Sequence, residues 1–412
     1  MAVRVASLRP SQPRPGGSAL HGAPFGEDDG MTLPGHIINA AGTLTRLSGA
    51  PFAPGVADAM AAADAVSVDM VAFHAYAGAK IAAATGAESG LATAGASAGL
   101  LLAAAACLAR DDVARMNALP GGRGPTEIVV ARSHRNSYDH AARVAGATLV
   151  EVGLPDPTAE AGRRDVEPWE VAAALGPETA AVYFTATRAT YDLLPAVVDV
   201  AHAQGVPVIV DAAAELPPAA NLRRFISDGA DLVAFSGGKV LGGPAGTGLL
   251  AGRRDLIASA ALQCLDLDVH PADFAPPAGF IDMARYAGLP RHGVGRSAKL
   301  GKHEIAGLLA ALDCFLSKTD ADRHARWLAV CERVAEALEG ATIAHAVDTD
   351  RIPVVELTFP DAASARARDA DLRARPLPVH LGTDPFRPAV LSINPVCLRE
   401  ADIESLLAAL SD

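Results

Sequence analysis

A carboxylate, Asp211, and a primary amine, Lys239, each close a short apolar run in the stretch VPVIVDAAAELPPAANLRRFISDGADLVAFSGGKVLGG. The first run, 206–210, ends in Asp211; the second, 232–235, ends in Ser236-Gly237-Gly238-Lys239. Short apolar runs bounded by turn residues, with a helical segment between them, predict two buried parallel strands of an α/β sheet. Such sheets bind ligands beyond the carboxyl ends of their strands, so both groups are expected at one crevice. An amine hemmed in by glycines suits desolvation, which disfavours its charged form. The pair matches what pyridoxal phosphate requires, a lysine to form the Schiff base with its aldehyde and an aspartate for its ring nitrogen. It equally describes a buried ion pair at the top of a sheet.

Other polar positions fall near predicted strand ends. Gly95, Ala96 and Ser97 lie in ATAGASAG, a small-residue turn between a short strand and a long apolar helix at 97–110. Bare backbone N–H groups and a helix N-terminus at one point make an anion site, assigned here to the cofactor phosphate with Ser97 adding a hydroxyl. The same composition suits close helix–sheet packing, and the Lys-Ser/Thr of a P-loop is missing. Thr185-Ala186-Thr187-Arg188 follows a further strand and is placed along the same crevice. Beyond Lys239, GGPAGTG at 242–248 does not match G-x-G-x-x-G and lacks a strand–turn–helix setting, so it shapes the lysine loop rather than binding a dinucleotide.

The elements that must position these groups alternate. Helical patterns are predicted at 55–66 and 70–85, the second ending at Thr85-Gly86, a C-cap signal. Strands at 127–131, 148–152 and 180–184, with helices at 138–145 and 194–204, argue for a mostly parallel sheet covered on both faces. His140 and His202 fall on predicted helices as surface or packing residues. The segment 264–295 reads as irregular and lid-like. Helices at 302–317 and 320–339 lead to strands at 353–359 and 389–393, interleaved with helices at 361–370 and 399–410. The expected organisation is an arm over 1–34, a large cofactor-binding domain over 35–300 and a small C-terminal α/β domain over 301–412.

The lysine-bearing run resembles that of the selenocysteine synthase-like family of pyridoxal phosphate enzymes of fold type I, which includes D-glucosaminate-6-phosphate ammonia-lyase. The likeness continues in INAAGTLTRLSGAPFAPGV and TAGASAGLLLAAAACLAR upstream, and in GVGRSAKLGKHEIAGLLAALD and LSINPVCLREADIE downstream. It implies a large domain with a seven-stranded type of sheet and a small domain whose wall faces the substrate, with Arg387 and Asn394 as contributors. It places His134, from RSHRN, over the cofactor ring, although a lone histidine is also an ordinary polar residue. Ser236, Gly238 and Thr247 join Gly95, Ala96, Ser97, His134, Asp211 and Lys239 as the implied cofactor set. Arg296 and Lys299 fall where anion-binding basic residues are implied. With Thr45, Arg46 and Arg188 they form the expected substrate set, although Arg296 and Lys299 also fit a solvated basic helix start. A homodimer or larger homo-oligomer is implied too, since such sites usually lie between subunits.

Composition bounds the rest. The 412 residues, 50% apolar, can bury a large core. Five cysteines without a CxxC pair fit reduced thiols in the cytoplasm and no metal site. The longest apolar run is too short for a bilayer, and a net charge of −12 argues against a nucleic-acid partner. The expected activity is removal of the α-proton of a small, hydroxylated or anionic amino acid by Lys239, then α,β-elimination to a 2-oxo acid and ammonia. Racemase, aldolase or aminotransferase chemistry uses the same groups; selenium transfer on seryl-tRNA and a non-catalytic cofactor-binding scaffold are further alternatives.

Overall fold

Twelve strands form two sheets in the computed structural model, which describes residues 35–154 and 166–411; the arm expected over 1–34 lies outside these residues. The larger sheet contains β2 (Ser89–Thr93), β3 (Glu127–Ala131), β4 (Thr148–Val152), β5 (Thr179–Thr185), β6 (Val208–Asp211), β7 (Leu232–Ser236) and β8 (Gly248–Gly252). Its order is β2-β8-β7-β6-β5-β3-β4. The neighbours from β7 to β4 are parallel, and β8 runs antiparallel to both β7 and β2. Strand β2 therefore points the same way as the parallel set. The register aligns their carboxyl ends: Gly248 pairs with both Thr93 and Ser236, Asp211 with Ala234, and Thr185 with Asp211.

The apolar runs are buried on both faces because helices cover both. Helix Ala96–Ala109, apolar on all sides, packs across β5, β6, β7 and β8, as a helix without a polar stripe must. Leu100, Leu102 and Leu108 are at most 1% exposed, and burial of each such side chain contributes roughly 1.5–3 kcal/mol. Helix Met70–Thr85 packs on β2 and β8, and helix Asn221–Ser227 on β7; their buried side chains join the opposite cluster. Helix Met70–Thr85 ends as its sequence predicts, with Gly86 left-handed at φ 73° and its N–H on the Ala82 carbonyl at 2.8 Å.

The smaller sheet contains β1 (Ile38–Ala40), β9 (Thr342–Ala344), β10 (Val354–Thr358), β11 (Val379–Thr383) and β12 (Val390–Ile393), in the order β1-β11-β12-β10-β9. The sequence predicts one unit over 35–300, yet β1 pairs in parallel with β11, so residues 38–40 belong to the sheet of the C-terminal segment. Chain order alone does not reveal such a long-range pairing.

Most predicted elements fall within two or three residues of their observed positions. The helix expected at 138–145 opens as a 3-10 turn, Ser137–Asp139, because Asn136 and Asp139 form a capping box ahead of helix His140–Val144. The segment 264–295 is irregular, with 3-10 turns at Pro271–Asp273 and Met283–Arg285. It is packed down rather than lid-like: Leu265, Leu267, Phe280, Ile281 and Tyr286 are all buried in the core cluster that includes helix Ala96–Ala109.

Candidate active site

Asp211 is the last residue of β6 and is 6% exposed. A carboxylate there must be satisfied by donors: the Tyr183 hydroxyl donates to Oδ2 at 3.1 Å and the Ala213 N–H to Oδ1 at 3.1 Å. Burial pushes its pKa up, while these two donors and the Lys239 charge pull against that shift. Lys239 follows β7 in the adjacent position and is half-buried. Desolvation lowers its pKa, opposed by the charges of Asp211 and Glu215. The amine therefore loses its proton more readily than a surface lysine does, which suits nucleophilic and base chemistry.

The loop that carries Lys239 is held by close backbone contacts. Gly237 N donates to the Thr247 carbonyl and Gly243 N to the Gly237 carbonyl, both at 2.8 Å. A Cβ on Gly237 would stand 2.3 Å from Thr247 Oγ1, and one on Gly238 would stand 2.4 Å from Ala245 Cα. The Thr247 hydroxyl itself, in a fully buried side chain, donates to the Pro244 carbonyl at 2.7 Å. In this chain Thr247 thus shapes the loop. Ser236, half-buried, closes β7 beside it.

Helix Ala96–Ala109 begins beside this loop. Gly95, at φ 89°, turns the chain from β2 into the helix, and its carbonyl accepts the Thr93 hydroxyl at 2.9 Å. Gly248 lies beneath that turn, where a Cβ would stand 2.6 Å from both Ala96 N and Gly95 C. The helix start is thereby set against the first residue of β8, where the lysine loop ends, with Ser97 exposed in its first turn. Such a terminus offers N–H donors and a partial positive charge to an anion.

His134 lies just beyond β3 and is 4% exposed. Its ring stands edge-on to Phe184, with centroids 4.5 Å apart, and its carbonyl accepts the Thr185 hydroxyl at 2.8 Å. Asn136 reaches the same hydroxyl at 3.3 Å. His140 and His202 are exposed, as expected, His202 pairing with Asp231 at 2.8 Å.

The predicted substrate residues divide. Arg188 borders the site: its charge acts on Glu215 and Tyr191, and its Nη2 donates to the Asp350 carbonyl ahead of β10. Thr45 and Arg46 form an exposed 3-10 turn tied to the lysine loop, since Ala50 N donates to the Gly238 carbonyl at 3.1 Å. Arg46 faces a 350 Å³ cleft with Arg366, Arg373 and His380 of the smaller lobe. Arg296 is paired with Asp266, and Lys299 is exposed; the charges acting on Lys239 are those of Asp211 and Glu215. Arg387 is paired with Glu356 and Asp384. Asn394 supports the backbone, its Oδ1 accepting Val396 N at 3.0 Å and its amide packed on Gly42.

Four further residues that their sequence setting does not mark out belong to the site. Tyr183 supports Asp211, and Glu215, Tyr191 and Asn221 form a linked group beside Lys239. An acidic residue four positions beyond Asp211, just ahead of two prolines, was the available signal for Glu215.

The Aminotransferase class-V family model matches residues 113–264. The chain is 31% identical over 396 residues to 5'-C-glycyluridine monooxygenase-decarboxylase of Streptomyces sp, covering 91% of this chain and 89% of that protein. It is 26% identical over 391 residues to D-glucosaminate-6-phosphate ammonia lyase of Salmonella typhimurium, covering 91% and 95%. A solved structure of D-glucosaminate-6-phosphate ammonia-lyase superposes with a TM-score of 0.70 at 26% identity, covering 91% of this chain and 94% of that one. A structure of SPT with PLP, 15% identical, shares the fold with a TM-score of 0.53 over 91% and 86% of the two chains. With likeness running through both lobes and most of each relative, the chain belongs to the aminotransferase class-V-like family of fold type I enzymes whose cofactor is pyridoxal phosphate.

Proposed function

We propose that the enzyme removes the α-proton of a small hydroxylated or anionic amino acid and eliminates its β-substituent, giving a 2-oxo acid and ammonia. The observation that carries this reading is the placement of Lys239, in a loop closed around glycines beyond β7, beside a buried Asp211 held by Tyr183 on the adjacent strand; burial also lowers the lysine's pKa. A relative that is itself an ammonia lyase supports it. The residues fit the cofactor: the turn over Gly248 leaves room for no side chain, and an amine and a carboxylate end adjacent strands. Lys239 would hold the aldehyde, Asp211 the ring nitrogen, and Gly95, Ala96 and Ser97 the phosphate, with His134, Ser236 and Gly238 around the ring. When bound, pyridoxal phosphate supplies an electron sink for the pair left at the α-carbon.

Lys239 Nζ, once displaced by substrate and uncharged, takes the α-proton as general base. Asp211, kept from water and fixed by two donors, would supply negative charge to the ring nitrogen of a bound cofactor. Arg188 offers a planar pair of donors for a substrate carboxylate or phosphate, and Arg46 and Thr45, on the turn tied to the lysine loop, are proposed to join it. We further propose two copies of the chain per functional unit and a cytoplasmic location. No helix among the described residues is long and apolar enough to cross a membrane.

A second reading rests on the 31% identical relative, a monooxygenase-decarboxylase. In it the α-carboxylate leaves in place of the α-proton, and molecular oxygen is consumed. One experiment separates the two: holoenzyme is incubated with a panel of small amino acids while ammonia, 2-oxo acid, carbon dioxide and oxygen uptake are followed together. Keto acid with ammonia and no oxygen uptake supports elimination. Carbon dioxide with oxygen uptake overturns it in favour of the second reading. α-Proton exchange without ammonia overturns it in favour of racemisation.

A further inference from the structure

Elimination of a hydroxyl group needs an acid as well as a base, because hydroxide leaves an α-carbanion poorly unless it is protonated as it departs. Resting on the elimination reading above, we infer that Glu215, held by Tyr191, is the acid that protonates the leaving group at the β-carbon.

The geometry around Glu215 fixes its carboxyl group. The Tyr191 hydroxyl donates to Oε2. Asn221, 2% exposed, donates through Nδ2 to the Tyr191 oxygen at 3.0 Å and to the Glu215 carbonyl at 2.7 Å. Tyr191 is held in turn, its ring edge-on to Phe225 at 5.4 Å and under the Arg224 guanidinium at 4.7 Å. Four charged or titratable groups face the carboxyl from the elements around it: Asp211 at the end of β6, Lys239 beyond β7, and Arg188 and Tyr191 beyond β5. Burial is the largest influence and raises the Glu215 pKa, as does Asp211, while Tyr191, Lys239 and Arg188 oppose them. The balance keeps a proton on Glu215 to a higher pH than on an ordinary glutamate.

The proton count closes. Lys239 takes the α-proton and becomes ammonium. The Cβ–O bond breaks with its electron pair on oxygen, which takes the Glu215 proton and leaves as water. Glu215, now carboxylate, and Lys239, now ammonium, regain their starting states when one proton passes between them. Their mutual electrostatic influence marks them as neighbours suited to that return.

The test compares two leaving groups. Holoenzymes of wild type, Glu215→Gln and Tyr191→Phe are assayed for ammonia release from β-hydroxy amino acids and from the matching β-chloro compounds, whose chloride departs without a proton. Glu215→Gln keeps an acceptor for the Tyr191 hydroxyl. It is expected to lose about 100-fold or more in rate with hydroxyl substrates and to stay within a few-fold of wild type with chloride. On the cofactor-free proteins, infrared difference spectra across a pH titration are expected to show a protonated carboxyl band that Glu215→Gln lacks and Tyr191→Phe shifts. Equal losses for both leaving groups, or the same band in Glu215→Gln, would overturn the role of Glu215 while leaving the elimination reading in place. Wild type that releases no ammonia from either series overturns both.

Discussion

Lys239 and Asp211 carry opposite pH signatures. Burial lowers the Lys239 pKa below its ordinary 10.5, so the unfolded chain binds a proton that the native chain has already released. Its stabilising contribution is therefore present above 10.5 and is lost as pH falls through the native value. Asp211 is raised above 3.8; its contribution is present below 3.8 and is lost as pH rises through the native value. Urea midpoints of the cofactor-free protein across pH should thus lose their alkaline rise in Lys239→Met. In the holoenzyme, Lys239→Ala should abolish borohydride trapping of the cofactor and reduce α-proton exchange to background, both read by mass spectrometry. Asp211→Asn should keep bound cofactor while turnover falls about 100-fold or more, seen as a loss in kcat rather than in cofactor Kd. Arg188→Ala should raise KM for substrate and leave cofactor affinity unchanged, whereas Arg296→Ala, which breaks a pair with Asp266, should change neither by more than a few-fold. Lys239 and Asp211 were legible because a charged residue ending an apolar run is conspicuous in a linear sequence. Tyr183 and Tyr191 were not, since only the sheet brings a tyrosine within a strand, or one in the loop after it, against a carboxylate dozens of residues away.

At the level of strands and helices, the contact between β8 and the start of helix Ala96–Ala109 is the most exacting. Gly248→Ala places a methyl 2.6 Å from Ala96 N, and a backbone neighbour cannot swing aside. The expected outcome is a loss of about 1–3 kcal/mol in stability with weakened affinity for cofactor phosphate, measured by thermal unfolding and by titration with pyridoxal phosphate. Strand positions β3 and β7 were readable because short apolar runs fit a sheet buried on both faces, and β4, at the sheet edge, because Leu149, Val150 and Val152 suit a strand. Strands β1 and β9 were not, at three residues each, nor was β11, where VHLGT mixes a histidine and a glycine into the pattern. Helix Val113–Ala118, six residues started by the Asp112 side chain, is likewise too brief to show a periodicity.

Over the whole molecule, the net charge of −12 sits on a surface that keeps several large apolar side chains exposed, among them Phe52, Tyr76, Tyr138 and Trp169 at 49–62%. Two copies in one unit would cover part of this area, and sedimentation should give twice the chain mass; an active species of single-chain mass would contradict the proposed pairing. The two-sheet architecture followed from the resemblance, whereas its seam did not. Strand β1 lies in the C-terminal sheet, and the loop after it returns to touch Gly238, the neighbour of Lys239. The smaller lobe is thus sewn on by two threads, one from each end of the chain. A chimera that exchanges this lobe with a relative by one crossover near residue 301 would pair a foreign β11 with the resident β1. Exchange should yield a folded, cofactor-loaded protein when the first fifty or so residues travel with the last hundred.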